Sequence, residues 1–504
     1  MERHLLSKST FIRGNQCIKS LYLYKNYYKL RDPLTPQQQA VFKRGTNVGV
    51  LAQSLFPGGI DCSPPNPFQY QKSAEKTSLL LGRGTECLYE AVFQYNRVLC
   101  AMDILYDDGD GWIAVEVKSS TGISETYLLD AALQYYVITN TGLPLKDLLL
   151  MYIDNTYVRG ENLDLQGLFT ASSLLSNAEE LTPFIEEKIG ELKHVLKQKK
   201  VPEVEIGPHC FSPYLCDFFG HCWKDVPEYS VFDIQRLSMD KKFDLYSKGI
   251  LNLEDVPEEY PLTEKQRTQV SCHTLQEEIC DSSRIKDFLS QLCYPLFYID
   301  FESFQPAVPL FKNTRPYQQI PFLYSLHIAE SPDSPLIHKE YIAPPPSDPR
   351  LPFLQKLLED TEGTGSIIVY NKTFEAGRLE ELKDNFPEFA ESIDQRINRI
   401  VDLMVPFQQQ DLYTPEMMGS YSIKKVLPAL APDMDYSDLS IQDGSTASMI
   451  YESLFTEESR ERVASEMNKL RKYCERDTFA MVRIYRELVR RADGRSLQQG
   501  PSQD

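Results

Sequence analysis

No stretch of this chain approaches the roughly 18 consecutive apolar residues that a membrane helix needs. Its opening residues, Met1 to Phe11, mix charges with serines and lack the apolar segment of a secretory signal. No internal repeat is visible, and low-complexity segments are short. An excess of positive charge is also missing. The 53 Lys/Arg are outnumbered by 72 Asp/Glu, for a formal net charge of −19, which excludes a protein that coats nucleic acid through bulk charge. The expected compartment is therefore the cytoplasm. There, the eleven cysteines are expected as reduced thiols or metal ligands, not as a disulfide framework.

What is present fits a large globular protein. The 504 residues are 42 % hydrophobic and 25 % charged, about twice the length at which one core stops growing. Composition and element patterning predict four segments: an α/β domain over 1–225, a helical connector over 226–289, a second α/β domain over 290–490, and a polar, flexible tail over 491–504. The charge is uneven. Met1–Val48 holds nine Lys/Arg (Arg3, Lys8, Arg13, Lys19, Lys25, Lys29, Arg31, Lys43, Arg44) against Glu2 and Asp32. Within it, Lys19–Arg31 interleaves cations with Tyr22, Tyr24, Tyr27 and Tyr28. This pattern suits a single-stranded nucleic-acid path and equally an amphipathic helix with packed tyrosines.

Three constellations carry chemistry. In the first, Val98–Tyr106 and Trp112–Lys118 read as strands joined by the turn Asp107–Gly111. Alternation puts Glu116 and Lys118 on one face, opposite Val115 and Val117, and Asp103 can reach that face across the hairpin. Two carboxylates and a lysine suit Mg²⁺ or Mn²⁺ beside a phosphate; solvated charges on an edge hairpin are the plainer alternative. The second is Cys210, Cys216 and Cys222 at five-residue gaps among prolines and glycine, a ligand loop rather than a core pattern. Adjacent His209 or His221 would complete a zinc site, and a distant cysteine an iron–sulfur cluster. Cys62, Cys87, Cys100, Cys272, Cys280, Cys293 and Cys474 read as ordinary thiols.

The third is Leu296–Phe304, an apolar strand with Asp300 and Glu302 on one face. Two such carboxylates repel unless a cation sits between them. A short strand, Ser366–Tyr370, leads into a helix bearing Glu375, and a late helix places Tyr473 and Asp477 one turn apart. Asp402 sits where another strand is expected, as a supporting acid or a helix cap.

Asp103, Glu116-x-Lys118 and a following helix with Gln134 resemble the PD-(D/E)XK nucleases, the RecB-like group in particular. That resemblance implies Asp103 and Glu116 as metal ligands, Lys118 as catalytic and Gln134 as supporting. The upstream histidine frequent in that group is missing from Arg44–Phe56. Glu90, expected on the helix before the first strand, is a substitute candidate. The segment Leu6–Leu23, with Cys17, resembles the start of iron–sulfur RecB-like nucleases such as the AddB nuclease domain and the CRISPR-associated exonucleases. This implies Cys17, Cys210, Cys216 and Cys222 around a [4Fe–4S] cluster that clamps both ends of the domain. Asp300, Glu302, Glu375, Tyr473 and Asp477 resemble the site of DnaQ-like, ribonuclease-H-like 3′–5′ exonucleases of the DEDDy type, with Glu375 where that group usually has Asp. The resemblance implies four carboxylates holding two metals and a tyrosine positioning water. The combination, a restriction-endonuclease-like domain followed by a ribonuclease-H-like one, resembles a bacterial family that joins the two. The implied function is metal-dependent cleavage of DNA, single-stranded or with free ends, in repair, end processing or defence. The alternative is a nucleic-acid-binding scaffold with one or both sites inactive.

Overall fold

A computed structural model of the chain describes residues 4–66 and 68–494; Arg3 of the basic segment and the expected tail beyond Gly494 lie outside them. The chain folds as mixed α/β with separate sheets and divides into two compact units. The first comprises Met1–Asp225 with Pro306–Tyr317, the second Val226–Gln305 with Gln318–Asp504. No helix among the described residues is long and apolar enough to cross a membrane.

The first unit is built on seven strands: β1 (Leu6–Ser7), β2 (Ile60–Asp61), β3 (Cys87–Tyr95), β4 (Val98–Asp107), β5 (Trp112–Lys118), β6 (Leu145–Ile153) and β7 (Phe169–Ser173). Their order is β2-β3-β4-β5-β6-β7, with β1 laid parallel against β4. β3, β4 and β5 form an antiparallel meander. The turn between β4 and β5 follows from its residues: Asp107 and Asp108 accept the amides of Gly109 and Asp110 at 3.0 Å, and Gly109 takes a left-handed φ of 94°. β5 then pairs parallel with β6 after a crossover through the helix Glu125–Asn140. That helix covers one sheet face, its Leu133, Tyr136 and Val137 packing with Leu105, Ala114 and Leu148, while Val115, Val117 and Met151 build a core on the other. Pro306–Tyr317 adds Ala307 and Val308 to this second core.

In the second unit, Val226–Leu289, expected as a connector, carries its own apolar cluster of Val231, Ile234, Leu245, Leu253 and Val270. Strand β8 (Ile279–Cys280) pairs antiparallel with β14 (Leu412–Tyr413). The main sheet has five strands, β9 (Leu296–Phe304), β10 (Ile320–Ala329), β11 (Ile337–Ile342), β12 (Ile367–Val369) and β13 (Ile400–Asp402), ordered β11-β10-β9-β12-β13. β9, β10 and β11 are antiparallel; β12 joins β9, and β13 joins β12, in parallel. Phe297, Ile299 and Phe301 face a core with Phe353, Leu354 and Leu379. Pleat alternation sends Asp300 and Glu302 to the opposite face. The 33-residue helix Arg460–Ala492 lies along β9 and β10, with Tyr473, Cys474, Asp477 and Thr478 buried.

Candidate metal and catalytic centres

In the first unit the sheet gathers the expected residues. Glu116, only 1 % exposed, sits on β5, and its Oε1 accepts from Lys118 Nζ at 2.8 Å and from Lys8 Nζ. Its Oε2 accepts from Gln134 Nε2 at 2.6 Å, and the same nitrogen donates to the Ala101 carbonyl at 3.0 Å. Gln134 Oε1 is buried without a hydrogen-bond partner. Asp103 Oδ2 accepts the Val117 amide at 2.6 Å. Lys118 also donates to Asp130 at 3.0 Å and lies 5.0 Å from the centre of the Tyr127 ring.

The two carboxylates are driven apart in acidity. Burial, then Glu116, pushes Asp103 up to about 8. Burial opposes ionisation of Glu116 as well, but Lys8 and Lys118 outweigh it and hold that carboxyl at about 2. Glu90 lies on β3, not on a helix as expected from the sequence. Its φ of 52° is left-handed, and the β3–β4 register passes over it and Asp103. There it senses the Glu116 charge, and burial followed by that charge raises its pKa. The sequence reading missed Lys8 and Asp130, which reach the site from β1's neighbour helix and from one helical turn before Gln134. Only the local pattern around each was readable, not the pairing.

The four cysteines named from sequence converge. Cys17, Cys210, Cys216 and Cys222 line one small cavity together with His209, Phe218 and Phe219; His221 is not among the residues that line it. Cys17 caps the helix Ile18–Asn26, its sulfur accepting the Ser20 amide at 3.5 Å. Burial, with the other thiols adding to it, raises the pKa of Cys222. Around the thiols the two ends of the unit are tied together. Asp217 bridges Arg13 and Arg31, Gln16 donates to the His209 and Tyr214 carbonyls at 2.7 and 2.6 Å, and Asp32 accepts the Gly220 amide at 2.9 Å. The donor set fits a four-thiolate metal group: four sulfurs and a half-buried imidazole line one small cavity, with no disulfide among them. In Lys19–Arg31, Tyr22 is buried and Tyr27 and Tyr28 are exposed, on a helix and a following 3₁₀ turn.

In the second unit, Asp300, Glu302 and Asp477 each present a carboxylate oxygen, all within 4.8 Å of one another. Glu375, at the first turn of the helix Lys372–Asn385, is buried with Oε2 lacking any hydrogen-bond partner, and it senses the Asp300 charge. Burial, then the Asp477 charge for Asp300 and the Asp300 charge for Glu302, push these two carboxyls well above the carboxylate range, and burial raises Asp477 to about 6. Such crowding is tolerable only for protonated acids or acids around a cation.

Tyr436 donates its hydroxyl to Asp477, Tyr473 lies one helical turn before Asp477, and Lys424 lies 5.6 and 5.3 Å from the Tyr436 and Tyr473 ring centres. Cys474, read from sequence as an ordinary thiol, instead touches the cluster: its sulfur is 3.4 Å from Asp300 Oδ2. Asp402 is a cap. Its carboxylate accepts the amides of Asn371, Lys372 and Met404 at 3.0, 2.9 and 2.9 Å, fixing the start of the helix that carries Glu375. Lys424, Tyr436 and Cys474 were missed because nothing in their local sequence marks them.

Residues 297–422, which include Asp300, Glu302 and Glu375, match the family model described as "Domain of unknown function (DUF2779)". Among curated proteins, the chain is 27 % identical over 222 residues to "Uncharacterized protein UU173" of Ureaplasma parvum, covering 39 % of this chain and 32 % of that one. It is 27 % identical over 224 residues to the "Uncharacterized protein MG366 homolog" of Mycoplasma pneumoniae (41 % and 34 %), and 26 % identical over 239 residues to "Uncharacterized protein MG366" of Mycoplasma genitalium (42 % and 35 %). The chain thus spans about a third of the length of these relatives.

Proposed function

We propose that this protein is a metal-dependent nuclease with two phosphodiester-cleaving centres, a RecB-like one in the first unit and a DnaQ-like 3′–5′ exonuclease centre in the second. The single observation that carries the reading is the buried meeting of Asp300, Glu302 and Asp477, with the unpartnered Glu375 oxygen beside them. Bound divalent ions, Mg²⁺ or Mn²⁺, would supply an activated water and stabilise the leaving oxygen. Asp300, Glu302, Glu375 and Asp477 hold those ions. The Tyr473 hydroxyl, one helical turn from Asp477, orients the attacking water. In the first unit Asp103 and Glu116 are the ligands, Lys118 steadies the charged phosphate, and Gln134 fixes the Glu116 carboxylate in place. The four cysteines hold a structural metal group, an iron–sulfur cluster by family resemblance.

A second reading has a specific basis. Both Glu116 oxygens are already engaged by Lys8, Lys118 and Gln134, so a scaffold-like first unit with all cleavage in the second is the alternative. Purified full-length protein, Mn²⁺ and labelled single-stranded DNA test both. Cleavage is expected, with roughly 10³-fold loss on Asp300→Ala. An unchanged rate in Lys118→Ala assigns all activity to the second unit; absence of cleavage by wild type across Mg²⁺ and Mn²⁺ rejects the enzyme reading. Visible absorbance of protein purified without oxygen supports iron–sulfur, and colourless protein with stoichiometric zinc supports the other metal.

A further inference from the structure

We infer that His327, His338 and Glu475 form a separate site for a first-row divalent transition ion of the zinc class. His327 on β10 and His338 on β11 are direct cross-strand partners, with ring centres 4.6 Å apart. Glu475 comes down on them from the helix Arg460–Ala492. One ligand atom from each of the three lies within 4.8 Å of the others, and Glu475 Oε1 is 4.0 Å from His338 Nδ1.

The hydrogen bonds around the rings are compatible with the tautomers a metal needs. Thr478 Oγ1 is 3.0 Å from the Glu475 carbonyl, 2.9 Å from His327 Nδ1 and 2.8 Å from Ser325 Oγ, which in turn is 3.0 Å from His338 Nε2. A hydroxyl donates once and accepts twice. If Thr478 donates to the carbonyl, it accepts from His327 Nδ1–H and from the Ser325 hydroxyl, and Ser325 accepts from His338 Nε2–H. Each of these four contacts then pairs one donor with one acceptor. His327 Nε2 and His338 Nδ1 are left as bare lone pairs, each backed by a hydrogen bond on its other nitrogen, the arrangement that orients metal-bound imidazoles. His327 is only 5 % exposed, and both His327 and Glu475 line a cavity of about 670 Å³, which leaves room for water on the remaining coordination positions.

Two imidazoles and one carboxylate favour Zn²⁺, Co²⁺ or Ni²⁺ over Mg²⁺, whereas the all-carboxylate cluster favours Mg²⁺ or Mn²⁺. An ion here ties β10 and β11 to the helix bearing Tyr473 and Asp477, through Glu475 and through Thr478, the neighbour of Asp477. It fixes that helix without taking part in cleavage, so the inference does not need the acid cluster to be active.

Cobalt(II) titration of the full-length protein, with its cysteine site filled as purified, tests this. Wild type is expected to gain one equivalent of d–d absorption without a thiolate charge-transfer band, to lose it on adding Zn²⁺, and to show a higher thermal midpoint with Zn²⁺. Asp300→Asn should keep the band. His338→Ala and Glu475→Gln, both on the solvent side, should lose it, and Ser325→Ala should weaken Co²⁺ binding roughly 10- to 100-fold. No band in wild type at millimolar Co²⁺, or an undiminished band in folded His338→Ala, overturns the inference. Failure of cleavage with the band intact would instead count against the nuclease reading alone.

Discussion

At the scale of single residues, the protein's chemistry is written in acids that are costly to ionise. Asp477 is raised from 3.8 to about 6 by burial, with both Tyr436 and Tyr473 partly offsetting the rise. A group whose folded pKa is raised contributes stability that is present below its unfolded pKa and is lost as pH climbs through the folded one. For Asp477 that window runs from about pH 4 to 6, and a rise of about two units corresponds to roughly 3 kcal/mol. Metal-free protein should therefore lose thermal stability across that range, whereas Asp477→Asn should lose less. Saturating Mn²⁺ should remove the difference, which calorimetry over pH 4–7 would read. Asp103, pushed up to about 8, extends the loss to higher pH by the same sign. Tyr473 tests its proposed water-positioning role at the same scale. Tyr473→Phe removes only a hydroxyl, so Mn²⁺ binding by calorimetry should be little changed while the cleavage rate falls about 10²-fold.

The elements that set these residues were largely readable in advance, and the reasons are local. β9 was expected over Leu296–Phe304 and forms there, because apolar residues on the core face alternate with Asp300 and Glu302 on the other. The hairpin around Asp107–Gly111 followed from its turn residues, and Tyr473 with Asp477 shares a helical face because four residues make about one turn. Glu90 went wrong for an equally local reason: its left-handed backbone, skipped by the β3–β4 register, breaks the two-residue alternation that marks a strand. What the sequence withheld was pairing at long range. Lys8 meets Glu116 across 108 residues, and Tyr436 meets Asp477 across 41. Such partners have no spacing rule. The same kind of remote contact makes a prediction for the helices at the start of the chain. Asp217 holds both Arg13 and Arg31, so Asp217→Ala leaves two half-buried guanidinium groups without their shared carboxylate. Urea denaturation should show a loss of about 2 kcal/mol, together with weaker retention of the metal proposed for the cysteines.

On the scale of the whole molecule, the two units have different sources of stability. The second has a continuous five-stranded core with a 33-residue helix over it. In the first, Cys17 with the start of the helix Ile18–Asn26 and the late loop around Cys210–Cys222 are far apart in sequence yet line one cavity with four thiols. The proposed metal group shared by those thiols would close a loop of about two hundred residues, and such closure restricts the unfolded chain more strongly the longer the loop. Because metal binding to folded ligands is folding free energy, its removal should act on one unit only. Full-length protein is expected to melt in two calorimetric transitions. Chelation, or the paired substitution Cys17→Ser with Cys216→Ser, should lower the first-unit transition and leave the other in place. Tryptophan emission assigns the transitions, since the only two tryptophans, Trp112 and Trp223, both lie in the first unit. A single transition that moves as a whole on metal removal would mean that the units fold as one cooperative body. The cysteine site would then stabilise the acid cluster of the second unit as well as the first.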